Sequence, residues 1–131
     1  MIVIRQKRIY REDLGANDRV ALYLFGDNLQ QEGMGGQAAE MRYEPNAVGI
    51  PTKKSPDMSA GAFFSDADLT KVDAVYYRIF SRIVERFDNG EFKVLVLPAD
   101  GLGTGLAALD RKAPKIFALL QKYLGEMEKH K

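Results

Sequence analysis

The chain has 131 residues, of which 46% are hydrophobic and 28% charged, with a formal net charge of +1 and no cysteine. Its length suits one domain with one core, expected to span residues 1–131, and is too short for two ordinary domains. The near-neutral charge gives no overall field favouring nucleic acid or an acidic membrane, and the missing cysteines exclude disulfides and thiolate chemistry.

The first half of the chain predicts short strands and one helix. Residues 20–25, VALYLF, are nearly all apolar, which is typical of a central strand covered on both faces, and Gly26 is expected to end it. The other elements predicted here are one or two strands within 2–4 and 8–10, a turn at 15–18, a helix at 36–42 and a strand at 47–50 that Pro51 closes.

Two amphipathic helices dominate the second half. Apolar residues recur at helical spacing over 69–87, and Ser65 or Asp66 is the expected cap of that helix. Residues 93–97, KVLVL, predict a second buried strand. A last helix is predicted over 114–127, because proline suits a first helical turn and the apolar positions after it lie on one face.

Alternating strands and helices predict an α/β fold of three layers, α/β/α, around a mostly parallel mixed sheet. Parallel neighbours need a crossover connection, which is usually a helix. Two glycine-rich segments, 26–36 and 101–105, follow the two most strand-like runs. Ligands of such folds bind outside the carboxyl ends of the strands, so we expect both segments at that edge of the sheet.

The amino terminus lacks the apolar core of a signal peptide, and no run approaches the ~20 apolar residues of a membrane span. We therefore expect a cytoplasmic protein. The single histidine, His130, lies in a charged tail, so neither serine–histidine nor zinc chemistry is expected. No metal and no cofactor is predicted, and the oligomeric state is left open.

The glycine-rich segments suggest a phosphate ligand. Glycines between a strand and a helix can present several backbone N–H groups to an anion, and the helix dipole adds to the attraction. Two such segments indicate a diphosphate or a nucleotide. The alternative is that the glycines only permit positive φ angles or close packing. The candidate ligand-binding residues here are Gly26, Gly33, Gly35, Gly36, Gln37, Gly101, Gly103, Thr104, Gly105 and Leu106.

Candidate catalytic residues follow the same two strands: Asp27, Asn28 and Asp100. A carboxylate beside a carboxamide can bind neighbouring ribose hydroxyls, although an Asx turn or a helix cap is an alternative role. If both carboxylates face one cleft, one of them can act as a general base toward water. Neither glycine segment has a P-loop or a dinucleotide fingerprint, so the chemistry of those sites is not expected.

Three further side chains are candidates for the site. Thr52 and Lys53 follow a predicted strand and bring a hydroxyl and an ammonium group, and Lys53 can bind a phosphate or a carboxylate. The alternative for Lys53 is a solvated lysine on a turn. Arg42 can serve the site or complement the carboxyl end of its helix.

The stretches GDNLQQEGMGGQAAEMR, PNAVGIPTK and LPADGLGTGLAALD, in that order, resemble a group of small bacterial and phage proteins. From about Val20 onward the arrangement is more broadly similar to macro domains, which are α/β/α modules that bind ADP-ribose. The resemblance implies that Asn28 contacts a ribose and that two loops surround the diphosphate. The residues of these loops are Gly33, Gly35 and Gly36 in the first and Gly103, Thr104, Gly105, Leu106 and Ala107 in the second. Macro domains usually have two asparagines where this chain has Asp27 and Asn28.

Three functions remain open on these grounds. One is an enzyme that hydrolyses ADP-ribose linkages or a related nucleotide, and another is a module that binds the same ligands without cleaving them. The third is an interaction protein whose glycines serve the fold alone. A Rossmann-like nucleotide-sensing protein is the alternative fold, because PADGLGTGLAALD matches part of the motif of that class.

Overall fold

A computed structural model describes residues 1–130 of the chain. Four strands form one sheet in the order β1-β4-β2-β3, and each neighbouring pair is parallel. The strands are β1 (Ile2–Gln6), β2 (Ala21–Asn28), β3 (Ala47–Lys53) and β4 (Val94–Pro98). Because all four run in one direction, their carboxyl ends meet at a single edge of the sheet.

Helices cover both faces of this sheet, so the predicted three-layer α/β/α fold is confirmed. They are α1 (Arg11–Ala16), α2 (Ala38–Met41), α3 (Leu69–Asp88), α4 (Leu109–Lys112) and α5 (Pro114–Lys129), with short 3-10 turns at Ala60–Ala62 and Asp66–Asp68. The sheet is wholly parallel rather than mixed. Within residues 1–130 the one antiparallel pairing is an isolated bridge between Lys53 and Phe63.

Strand β2 divides the core between the two faces. Leu22 and Leu24 point to the face covered by α3 and α5, whereas Tyr23 and Phe25 point to the face covered by α1 and α2. All four are almost fully buried, which stabilises the fold by roughly 1.5–3 kcal/mol for each such apolar side chain. The prediction of a strand covered on both faces is therefore confirmed. The carboxyl end of β2 lies between those of β4 and β3, in the interior of the sheet.

Helix α1 is where the sequence prediction was wrong, since a strand at 8–10 and a turn at 15–18 were expected. The carboxylate of Asp13 accepts the backbone N–H of Tyr10 at 2.9 Å and starts the helix. Arg11 then contacts the α2 region, where its guanidinium donates to Glu44 at 2.7 Å. A helix of six residues is marginal alone, so these tertiary contacts are what stabilise it.

Two strands run further than predicted. Strand β2 continues past Gly26 to Asn28, and β3 continues past Pro51 to Lys53. Proline lacks an N–H donor but is tolerated at a sheet edge, and β3 is an edge strand. Pro51 also accepts a hydrogen bond at its carbonyl from the buried Tyr76 hydroxyl, at 2.7 Å. These extensions bring Asp27, Asn28 and Thr52 into the sheet itself. Among the described helices, none is long and apolar enough to cross a membrane.

Candidate ligand-binding cleft

A cleft of about 280 Å³ opens at the carboxyl edge of the sheet. Its walls come from the first loop (residues 29–37, after β2), the second loop (residues 99–108, after β4) and the end of β3. The sequence analysis expected both glycine segments at this edge, and they do line the same cleft. The lining residues singled out from the sequence are Gly26, Asp27, Asn28, Gly33, Gly35, Gly36, Gln37, Arg42, Thr52, Lys53, Gly101, Gly103, Gly105, Leu106 and Ala107.

The first loop is tied to the sheet by an ion pair between Asp27 and Arg42. Both side chains are about 95% buried, and two parallel hydrogen bonds join them at 2.5 and 3.1 Å. The same guanidinium donates to the carbonyls of Gly33 at 2.7 Å and Glu32 at 3.2 Å. A planar guanidinium suits this arrangement, because its donors form a rigid fork. Arg42 therefore serves the site by holding the loop in place.

The carboxylate of Asp27 occupies space that a glycine leaves open on β3. A Cβ atom at Gly49 would come within 2.8 Å of the Asp27 Cβ and overlap its carboxylate. Sequence reasoning missed Gly49, although a glycine inside a strand often marks the close approach of another group. The Asp27 carboxylate accepts hydrogen bonds from Arg42 and, at 2.8 Å, from the backbone N–H of Asn28. Asp27 therefore has a structural role.

Asn28 closes an Asx turn at the start of the first loop. Its side-chain oxygen accepts the N–H of Gln30 at 3.0 Å, and its amide donates to the carbonyl of Glu32 at 2.8 Å. This is the alternative role considered for the residue in the sequence analysis. The side chain is 6% exposed and lines the cleft, so one amide hydrogen and one oxygen lone pair remain for a ligand.

The second loop approaches β3 closely at Gly103. A Cβ atom there would lie 2.9 Å from the Cβ of Leu109 and 3.2 Å from Thr52, and its φ of +81° is a conformation that favours glycine. Thr52 is 3% exposed and donates its hydroxyl to the carbonyl of Asp27 at 3.2 Å. At this position the close-packing interpretation of the glycines holds.

Both loops present backbone donors that the protein does not use. In the described part of the chain, the N–H groups of residues 33–37 and 102–107 donate to no protein acceptor. The predicted help from helix dipoles is not available, however. The following helices, α2 and α4, have four residues each, which is too short for aligned peptide dipoles to add up. Any attraction of an anion by these loops comes from the individual N–H groups.

Lys53 is the one lysine among the described residues that is buried. It is 9% exposed, and its ammonium group donates to the carbonyl of Asp57 at 2.6 Å and contacts the Met58 sulfur at 3.4 Å. The ring of Phe63 lies 4.8 Å away. No carboxylate in residues 1–130 forms a salt bridge with it. Lys53 is thus a buried lysine whose direct contacts are neutral groups.

The segment that surrounds this ammonium group is itself held by Asp57. The carboxylate of Asp57 accepts the hydroxyls of Ser55 and Ser59, at 2.5 and 2.6 Å. These hydrogen bonds lower the pKa of Asp57, with the one from Ser55 contributing most. The carbonyl of Asp57 is thereby kept in position against Lys53, while its carboxylate is satisfied by the serines.

Two predicted residues lie outside the cleft. Asp100 is exposed and is not among the residues that line the cleft with Asp27. Thr104 is also exposed, and its hydroxyl donates to the carbonyl of Asp100 at 2.8 Å, which closes the turn of the second loop. Since β4 ends at Pro98, Asp100 lies one turn beyond the sheet and points to solvent.

Six lining residues were not singled out from the sequence: Glu32, Ala38, Pro56, Met58, Pro98 and Leu102. Glu32 belongs to the first loop and is exposed, and Pro56 and Met58 come from the segment after β3. Pro56 packs against Gly33: a Cβ atom added at Gly33 would lie 3.3 Å from the Cβ of Pro56. No periodicity marks such loop positions, because their place depends on how the segment after β3 folds back over the sheet edge.

Together these features define an α/β/α protein whose parallel sheet carries a cleft between two glycine-containing loops. The chain belongs to a family of unknown function, DUF7831, which matches residues 4–123. That span includes every residue that lines the cleft. No curated protein and no solved structure shows significant similarity to the chain. The cleft itself is therefore the basis on which a function can be argued.

Proposed function

We propose that this protein binds ADP-ribose or a related nucleotide diphosphate in the cleft, with the phosphates on the two loops. The observation that carries the proposal is Lys53, a residue that lines the cleft, is 9% exposed and forms no salt bridge with a carboxylate of residues 1–130. Lysine is rarely buried without an anionic partner, because removing an ammonium group from water is costly. A bound phosphate beside Lys53 would supply that missing charge.

The free backbone donors support the same ligand. The N–H groups of residues 33–37 and 102–107 lie on loops that line the cleft, on two sides of it. A diphosphate has enough acceptor oxygens to bond to both loops at once, whereas a neutral ligand would leave many of these donors to water. Two phosphate groups, one on each loop, fit this arrangement.

Two of the glycines support a ligand because the fold gives no other reason for them. Gly35 and Gly105 have no positive φ, and a Cβ atom at either would meet no protein atom within 4 Å. Both nevertheless line the cleft. A side chain there would project into the space where we place the phosphates, so the ligand accounts for glycines that packing leaves unexplained.

Binding is better supported than hydrolysis. A general base needs a carboxylate free to take a proton from water. Of the two carboxylates singled out from the sequence, Asp27 is held by Arg42 and Asp100 lies outside the cleft. Glu32 lines the cleft but is exposed on the first loop. The resemblance to macro domains agrees with either function, since those domains include both binders and hydrolases. We therefore propose a binding module rather than an enzyme.

Thermal unfolding with ADP-ribose, ADP and unrelated nucleotides tests the proposal. A ligand at 100 times its dissociation constant should stabilise the wild-type protein by about 2.7 kcal/mol, which raises Tm by roughly 10 °C for a chain of this size. Lys53→Met should bind at least about tenfold more weakly while keeping an equal or higher Tm without ligand, because a buried charge is replaced by an apolar chain. Lys71→Met, on the exposed side of α3, is the matched control.

The glycine series separates the ligand from the fold. Gly35→Ala and Gly105→Ala should leave the free energy of unfolding within about 1 kcal/mol of the wild type and weaken binding of ADP-ribose. Gly125→Ala, in the interior of α5, should stabilise the protein by about 0.5–1 kcal/mol and bind normally. If no nucleotide changes Tm, or if the two loop variants bind as the wild type does, the proposed ligand is wrong.

A further inference from the structure

We infer that an apolar rim at the cleft mouth, formed by Met34, Met58 and Leu106, receives the base of the nucleotide and recognises it by contact alone. This inference rests on the proposed function, because it describes how the same cleft holds the rest of the ligand. It assigns nucleoside diphosphates as a class, with no preference between bases that differ only in their hydrogen-bonding groups.

The rim consists of exposed apolar side chains from three separate segments. Met34 is 50% exposed on the first loop, Met58 is 58% exposed on the segment after β3, and Leu106 is 77% exposed on the second loop. Met58 and Leu106 line the cleft, and Met34 lies between the lining residues Gly33 and Gly35. Isolated exposed apolar residues are ordinary on a protein surface, but three from different loops around one cleft mark a contact surface.

The rim adjoins the groups assigned to the phosphates. The Met58 sulfur lies 3.4 Å from the ammonium nitrogen of Lys53, so a ligand with an anion on Lys53 must pass its next group over Met58. Leu106 has an unused backbone N–H and an exposed side chain, so one residue can contact both a phosphate and the group attached to it. Methionine is flexible and polarisable and packs well against flat rings.

Few polar side chains at this mouth are free to hydrogen-bond the base. Those of Asp27, Arg42 and Thr52 are bonded within the protein, and Asn28 is largely so. Two others line the cleft: Glu32, which is exposed, and Gln37, whose side-chain oxygen is buried without a hydrogen-bond partner among the described residues. If either of them read the base it would distinguish adenine from hypoxanthine, because adenine donates from its 6-amino group and accepts at N1, whereas hypoxanthine accepts at its 6-oxygen and donates from N1.

Titration calorimetry with ADP, IDP and inorganic pyrophosphate tests the inference. Wild-type protein should bind ADP and IDP within about threefold of each other, and pyrophosphate at least about fivefold more weakly. Met34→Ser and Leu106→Ser should each weaken ADP about fivefold and leave pyrophosphate within about twofold, since only the apolar contact is lost. Tyr77→Ser, an exposed aromatic on α3 away from the cleft, is the control and should change neither ligand.

The outcomes distinguish this inference from the function on which it rests. If pyrophosphate binds as tightly as ADP, or the rim variants weaken both equally, the rim does not receive the base although the phosphate site stands. If the affinities for ADP and IDP differ tenfold or more in either direction, the base is recognised by hydrogen bonding and the inference is wrong, and Glu32→Gln and Gln37→Ala then show which side chain is responsible. If neither ADP nor pyrophosphate binds, the proposed function fails and this inference fails with it.

Discussion

Replacing Asp27 with asparagine tests how the cleft is built. The substitution preserves shape but removes the charge opposite Arg42, whose guanidinium is 6% exposed. Its remaining partners would be the carbonyls of Gly33 and Glu32, which carry no charge. Breaking a buried ion pair from one side typically costs 3–5 kcal/mol, because the other charge stays buried without compensation. We expect about that loss, which corresponds to a fall in Tm of about 10–20 °C.

Urea unfolding of the two single variants and the double variant measures the pair directly. Asp27→Asn and Arg42→Met should each lower the free energy of unfolding strongly. The loss in the double variant should be smaller than the sum of the two single losses by at least about 2 kcal/mol. If either single variant falls below the limit of stable folding, unfolding of the whole series in a fixed concentration of sucrose keeps the comparison. Single losses below 1 kcal/mol that simply add would refute the assignment of this pair as the anchor of the first loop.

Two further predictions concern stability elsewhere. Gly49→Ala should cost about 1–3 kcal/mol in urea unfolding, because the added methyl overlaps the Asp27 carboxylate, and a loss below 0.5 kcal/mol would contradict that packing. Burial, with a smaller contribution from the hydrogen bond to Asp73, raises the pKa of Tyr123 to about 12 from 10.0. Because the pKa is raised in the folded state, the stability that Tyr123 contributes below pH 10 is lost as the pH rises toward 12. The free energy of unfolding should therefore fall between pH 10 and 12, and it should fall less in Tyr123→Phe. Ultraviolet titration of the tyrosine phenolates checks the same group. If the wild-type curve differs from that of Tyr123→Phe only by one tyrosine that ionises near pH 10, the raised pKa is contradicted.

The elements predictable from sequence were those whose own pattern specifies them. Strand β2 reads as continuous apolar residues because both faces are covered, and α3 reads as an amphipathic period because one face packs on the sheet. Helices α1 and α4 have six and four residues and carry no such period. Their formation depends on contacts with distant residues, which local sequence does not encode.

The location of the cleft was predictable for a topological reason. Strands β2 and β4 are neighbours and parallel, so the loops that follow them must meet at one edge. The roles of individual side chains were not predictable in the same way. Asp27 lies at the end of β2 and Asp100 just beyond the end of β4, yet one is paired with Arg42 fifteen positions later and the other is exposed. Those outcomes depend on the path of each loop after the strand ends.

Lys53 shows the limit most clearly. The sequence offered a solvated lysine on a turn as the alternative, and the segment after β3 instead folds back so that the Asp57 carbonyl and Phe63 enclose the ammonium group. Burial of this cation depends on a bridge between Lys53 and Phe63, ten positions apart, for which no sequence period exists. The feature that best supports a phosphate ligand is therefore visible only in the folded chain.

The most direct test of the central claim is a crystal structure of the protein soaked with ADP-ribose. We predict density for the diphosphate in the cleft, with a phosphate oxygen about 2.7–3.2 Å from the Lys53 ammonium nitrogen and other oxygens within the same distance of backbone N–H groups of both loops. An empty cleft at saturating ligand, or ADP-ribose bound elsewhere on the molecule, would contradict it.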